Sequence, residues 1–126
     1  MICRYLENNR LVEAPADESV FTEHMPLIVV GVGTAGAYAV LAAARLDIAV
    51  LGIDLNSGAG GMGTYGYVSG YYYGAAGGLH LEIDQQAEQL RDALFVDTVE
   101  AKRYLLEKEA LCYGARLWFE ARLTGG

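Results

Sequence analysis

The stretch from Pro26 to Asp54, PLIVVGVGTAGAYAVLAAARLDIAVLGID, decides how the remaining residues are read. Leu27 to Val30 form an apolar run that leads into Gly31-Val32-Gly33-Thr34-Ala35-Gly36, and an alanine-rich helical segment follows as far as Leu46. A second apolar run, Ile48 to Ile53, ends in Asp54. Strand, glycine turn, helix and strand in this order make a βαβ unit, the context in which a GxGxxG pattern carries information. Gly31 is expected to allow the tight turn out of the strand. Gly33 lets a pyrophosphate approach the backbone where a Cβ would otherwise stand, and Gly36 brings helix and strand close together. The helix start, at Thr34 and Ala35, offers unpaired N–H groups and the positive end of the helix dipole to phosphate. Asp54 stands 23 positions after Gly31, where an acid at the end of the second strand accepts hydrogen bonds from an adenosine ribose. A ligand containing ADP is the expectation.

Length and charge narrow the class. A chain of 126 residues fits about one domain, large enough for a hydrophobic core and small for a two-domain cofactor enzyme. The net charge of −7, with no cluster of Lys and Arg, argues against nucleic acid or an anionic membrane as partner. Cys3 and Cys112 stand far apart and neither has a CxxC companion, so they read as reduced thiols, and no metal site is expected. The first ten residues lack the basic and apolar regions of a secretory signal, and the apolar segment at Ala35 to Leu46 is too short to span a bilayer. A cytoplasmic protein is the expectation.

Residues 1–25 are polar and mixed, and read as an arm with a short strand or helical turn near Tyr5 to Val12. His24 reads as a surface residue. In the helix after Gly36, alanines at 37, 39, 42, 43 and 44 combine high helix propensity with low bulk, which allows close packing on a sheet. The second strand is a continuous apolar run, as suits an interior strand of a parallel sheet, so residues 26–126 are expected to form a doubly wound, three-layer α/β domain of Rossmann type. Residues 58–78 hold nine of the sixteen glycines and five of the nine tyrosines, too much glycine for a stable helix. They follow Asp54 at the carboxyl edge of the sheet, where ligands of such folds bind, so a loop hugging the cofactor is expected. Leu81 to Phe95 places Ile83, Ala87, Leu90 and Leu94 at helical spacing, with His80 at its start. Asp97 with Glu100 three residues on signals the start of a helix that runs to about Tyr113 and stops at Gly114. Ala115, Leu117, Phe119, Ala121 and Leu123 then alternate with polar or bulky residues, the pattern of a third parallel strand beside the second.

With these pieces in place, the chain resembles the FAD-dependent oxidoreductases of the glutathione-reductase-like fold, in particular the group with a GGM-x-T loop after the first βαβ unit. The resemblance rests on the 26–54 stretch, on Gly60-Gly61-Met62-Gly63-Thr64 with Tyr65-Gly66 after it, and more weakly on the segment from Val96 to Leu123. It implies that Gly31, Gly33 and Gly36 bind the FAD pyrophosphate, while Thr34 and Ala35 are expected there as the residues of the helix start. It implies also that Asp54 binds the adenosine ribose, and that Gly60, Gly61, Met62 and Thr64 pass by the pyrophosphate and flavin. Asp54 is shorter than the family's usual glutamate, Val32 and Thr34 replace its common glycine and proline, and Asp47 stands where a helix-ending glycine is usual. The family's meander, substrate domain and second FAD segment would follow where this sequence stops, so the chain reads as the N-terminal portion of a flavoprotein. Such a portion is expected to be inactive alone and to be completed by a companion chain or by a second copy of itself.

Two other functions fit the same residues. The fingerprint alone does not choose FAD over NAD, and a split or truncated subunit without catalysis of its own would carry the same motifs. Substrate and catalytic residues are not legible. Tyr65, Tyr67 and Tyr71-Tyr72-Tyr73 read as packing anchors of the loop rather than as groups facing a flavin ring.

Overall fold

A computed structural model describes residues 2–15, 23–68 and 77–123. Tyr71, Tyr72 and Tyr73, and with them part of the expected cofactor loop, lie outside the described residues. Two strands, β1 (Ile2–Glu7) and β2 (Arg10–Pro15), form an antiparallel hairpin with Glu7 paired to Arg10. Asn8 and Asn9 sit between them at φ 50° and 60°. Two consecutive left-handed residues make the turn whose twist matches a hairpin, and asparagine tolerates that region better than most residues. The short strand or helical turn expected near Tyr5 to Val12 is instead the turn end of a two-stranded hairpin, in which Tyr5 pairs with Val12, and the Asn-Asn pair is its local signal.

The second sheet carries the site. Its strands are β3 (Leu27–Val30), β4 (Val50–Ile53) and β5 (Arg116–Trp118), all parallel and in the order β3-β4-β5. Val30 pairs with Ile53 and Ile53 with Trp118, so the three strands end level. The residue after each strand is thereby delivered to one edge: Gly31 from β3, Asp54 from β4 and Phe119 from β5.

Helices α1 (Thr34–Arg45), α2 (Gly78–Leu94) and α3 (Thr98–Cys112) fill the connections. Strands entering a parallel sheet one after another from the same side, with crossovers of one hand, put their helices on one face. Leu117 of β5 accordingly touches a cluster shared by Leu41 of α1 and Leu106 of α3, and a second one built from Val40, Ala43, Ala44, Val50, Ala110 and Ala115. The alanines of α1 meet Ala110 and Ala115 directly, so the low bulk read in the sequence serves contact with α3 and with the start of β5. Ile83 and Ala87 of α2 are buried as expected, whereas Leu94 is 60% exposed. The described helices supply one layer on the sheet, and the second layer of the expected three-layer arrangement is not found among the described residues.

Three boundaries differ from the sequence reading. β4 begins at Val50 rather than Ile48, because the Ile48 N–H returns to the Ala43 carbonyl and closes the end of α1. Asp47 adopts φ 57° there, doing with an aspartate what a glycine usually does. α2 starts at Gly78, ahead of Leu81. β5 is three residues long, not nine. Glu120 turns to φ 54°, after which the Glu120 and Ala121 N–H groups go to the carbonyls of Asn56 and Asp54 and the chain leaves the ladder. Asp97 caps α3 as read, accepting from the Val99 N–H at 2.8 Å, while Glu100 pairs with Arg103 at 2.7 Å.

Arg45, in the last turn of α1, joins the three helices. It donates two bonds of 2.8 Å to Glu82 of α2 and one of 3.5 Å to Glu109 of α3. Hydrogen bonds from this guanidinium hold the Glu82 carboxyl below its ordinary value of 4.5, against the opposing effect of desolvation. A carboxylate with a lowered folded pKa contributes stability above its unfolded pKa and loses it as pH falls through the folded value. Glu82→Gln should therefore cost about 0.5–1 kcal/mol at neutral pH, the range for a half-exposed pair. In denaturant titrations that difference from the wild type should fade below pH 4.5.

Candidate functional site

At the level edge of the parallel sheet the glycine turn is built from backbone alone. Gly31 leaves β3 at φ 90°, where only glycine is unstrained, and its N–H donates to the Ile53 carbonyl at 2.7 Å. Val32 turns inward into the core at 1% exposure. Gly36 is required by contact: a Cβ there would stand on the Gly31 carbonyl oxygen. Gly33 is different. Its φ of −74° suits any residue, and a Cβ would meet only the Gly61 Cα, at an ordinary 4.0 Å. Neither backbone conformation nor crowding among the described residues accounts for a glycine at that position.

The helix that starts there is uncapped. Gly33 provides no side-chain acceptor, and the first turn of α1 holds no acid. Thr34 and Ala35 are exposed. An α-helix leaves its first N–H groups without intrahelical partners, and these carry the positive end of its dipole. Nearly all helices hide that end with a side chain or with water. Here it faces outward beside a glycine that leaves room for close approach.

Residues 59–64 lie directly on this turn. The Gly60 N–H donates to the Val32 carbonyl at 2.9 Å, and the Thr34 hydroxyl donates to the Gly60 carbonyl at 3.1 Å. Gly60 and Gly61 both have positive φ, 99° and 53°. A Cβ on Gly61 would come within 2.9 Å of the Gly33 Cα, so two backbones meet here without side chains between them. Thr64, 1% exposed, closes the loop by donating to the Ala59 carbonyl at 2.7 Å. Met62 is 62% exposed on its outer side. The loop is anchored below by the Glu107 carboxylate of α3, which accepts from the Ala59 N–H at 3.0 Å.

Asp54 is buried at 7% exposure and already engaged. Its Oδ2 accepts from the Val32 N–H at 2.6 Å, and its Oδ1 accepts from the N–H and the side-chain amide of Asn56 at 2.8 and 2.9 Å. A carboxylate has about four acceptor positions, so one remains for a hydroxyl. Beside it, Val30, Gly31, Ile53, Leu55 and residues 121–123 line a crevice of about 240 Å³. Loss of this carboxylate leaves the buried Val32 N–H without an acceptor, so Asp54→Ala should lower stability by about 1–3 kcal/mol in chemical denaturation. Asp54→Asn, which keeps one acceptor oxygen, should lose less.

All ten residues singled out in the sequence thus fall in one place, with two kinds of task. Gly36, Gly60, Asp54 and Thr64 hold the turn and loop together, while Gly33, Thr34, Ala35, Gly61 and Met62 border the open side, and Gly31 serves both. Tyr65 is an anchor: its hydroxyl meets Ser57 at 3.1 Å and Arg103 at 3.3 Å. His80 packs against Tyr38 with tilted rings 5.2 Å apart and contacts Asp84 at 3.2 Å, roles internal to α1 and α2. Two residues escaped the sequence reading: Asn56, which donates twice to Asp54, and Lys102, buried at 7% exposure and paired with Asp84 at 2.6 Å. Lys102 precedes Leu105 and Leu106 by three and four positions, and that spacing already put it on the buried face of α3. No described helix is long and apolar enough to cross a membrane, and no cluster of three or more His, Cys, Asp or Glu among the described residues is placed to hold a metal ion. No family model matches the chain, and no curated protein or solved structure is significantly similar to it.

Proposed function

We propose that the chain binds the ADP half of a dinucleotide cofactor, FAD by the GGM-x-T resemblance, and that it serves as the FAD-binding portion of a Rossmann-like flavin-dependent oxidoreductase. The observation that carries this is Gly33. It stands at an exposed, uncapped helix start, and nothing among the described residues requires it to be glycine. A ligand that presses on the backbone supplies the missing requirement. Pyrophosphate fits, since it brings negative charge to unpaired N–H groups and to the positive end of α1. The crevice beside Asp54 suits the adenosine, with its ribose toward the last acceptor position of the carboxylate. When bound, FAD would supply hydride or electron transfer, and the chain's own residues would bind and orient it. NAD is the runner-up, because the turn and crevice contact only what the two cofactors share.

A single methyl group tests the assignment. Gly33→Ala adds a Cβ that the folded chain accommodates, so thermal stability should stay within about 0.5 kcal/mol, as at permissive positions. Affinity for FAD and for ADP, read by calorimetry, should nonetheless fall at least tenfold. Unchanged affinity in the variant would reject a phosphate at this turn.

The exposed edge of β3 bears on the second half of the reading. Leu27, Ile28 and Val30 are 36%, 49% and 56% exposed, and β3 pairs only with β4 among the described strands. An apolar parallel strand at an edge is a pairing site, and completion by a companion chain or a second copy would cover it. Ile28→Lys should then shift the mass measured by light scattering toward the monomer, whereas an unshifted mass would show that this edge is not where chains meet.

A further inference from the structure

We infer that two copies of the chain pair through the outer faces of α2 and α3, with Phe95 of each copy inserted into an apolar groove of the other. Phe95 directly follows α2 and is unfavourable there in two ways. Its backbone lies at φ 56°, in the left-handed region that glycine or asparagine usually fills after a helix and that a bulky residue seldom adopts. Its side chain is 95% exposed. The end of the helix is closed by the Phe95 N–H, which donates to the Arg91 carbonyl at 2.8 Å, so the phenyl ring has no part in it. Folding of the single chain gives no reason for a large apolar residue at this position.

A place for the ring lies on the same surface. Between α2 and α3, Leu90, Leu94, Val96, Ala101, Tyr104 and Leu105 line a groove of about 390 Å³. An apolar cavity of about 150 Å³ is enough to hold benzene, so a phenyl ring enters with room for part of the segment that carries it. The chain's own Phe95 does not occupy the groove, as its exposure shows, so the ring that fills it comes from another molecule. The apolar surface continues along α3, where Tyr104 and Leu111, seven positions apart on one face, are 54% and 55% exposed.

Charge selects a second copy as that molecule. Asp92 and Asp97 flank the ring in the sequence, and Arg103 and Lys108 flank the groove. Glu100, the acid at the groove, is already engaged by Arg103 at 2.7 Å, and Lys108 is exposed. Asp92 holds Arg91 at 2.8 Å and keeps acceptor positions for a second cation. Setting the acidic turn on the basic rim brings opposite signs together, and a two-fold pair makes each such contact twice. Area is sufficient as well. Aromatic side chains bury about 150–250 Å² each, so Phe95 and half of Tyr104 from both copies supply on the order of 600 Å². Leu94, Val96, Leu111 and the charged rim supply the remainder of the roughly 1,200 Å² at which specific pairs begin.

This pairing does not depend on the cofactor reading, and it uses elements other than β3, so it is separable from pairing at the edge of that strand. The experiment is sedimentation equilibrium of the full chain over a range of concentrations, for the wild type, Phe95→Asn, Lys108→Glu and Ile28→Lys. The wild type should be a dimer. Phe95→Asn removes the ring and places at φ 56° a residue that tolerates it, so the far-ultraviolet spectrum should be kept while the dimer dissociation constant rises at least tenfold. Lys108→Glu should raise the constant at least threefold, and because Lys108 is exposed this variant decides the matter if Phe95→Asn is destabilised. A wild type that stays monomeric at high micromolar concentration would overturn the inference. So would a dimer that Ile28→Lys dissolves and that folded Phe95→Asn and Lys108→Glu leave at its wild-type dissociation constant.

Discussion

The carboxylate of Asp54 is the interaction on which the edge of the sheet depends. One oxygen takes the N–H of Val32 and the other takes two donors from Asn56. With the bond from the Gly31 N–H to the Ile53 carbonyl, this fixes where the chain leaves β3 and how α1 begins. Val32 is then committed to the core, and Gly33 faces outward as its neighbour. The Val32 carbonyl in turn receives the Gly60 N–H, so the same short segment positions the loop above it. Three of the carboxylate's acceptor positions are thus filled by the protein itself. Its task before any ligand arrives is to shape the turn.

On the proposed reading such a site binds through backbone, and its glycines divide into those the fold requires and those it does not. Gly36 and Gly60 answer to contacts inside the protein, and Gly31 and Gly61 to their positive φ. Gly33 and Gly63 answer to neither, and both border the helix start of α1. Room for a methyl group at Gly33, beside the uncapped start of α1, is what a phosphate approaching the backbone would require. The low cost of an alanine at Gly33 in the folded chain separates binding from folding, which is seldom possible in a turn so tightly packed.

Much of this was legible in the sequence because the signals were local. The runs at 27–30 and 50–53, the alanines of α1 and the Asp97 cap report on neighbours within a turn or a strand. The parallel third strand was legible from the alternation of Ala115, Leu117, Phe119 and Ala121, which are buried or half-buried, although Leu123, read on the same face, is 53% exposed. What was missed depends on distance. The early end of β5 is set by the carbonyls of Asn56 and Asp54, more than sixty residues away, which draw the chain out of the ladder. Engagement of Asp54 by the glycine turn itself could not be seen, because an acid at the end of a second strand looks the same whether its donors belong to a ribose or to Val32. Lys102 carried a usable signal in its spacing from Leu105 and Leu106, but a lysine in a helix rich in charged residues reads by default as solvated.

The central claim is a location, so a residue-resolved titration tests it most directly. With ADP added to the isotope-labelled chain, backbone amide resonances of residues 31–36 and 60–64 should move most, and those of the β1–β2 hairpin should stay in place. Saturating shifts confined to these two segments are the outcome expected. Shifts centred elsewhere, or none at millimolar ADP, would contradict the account.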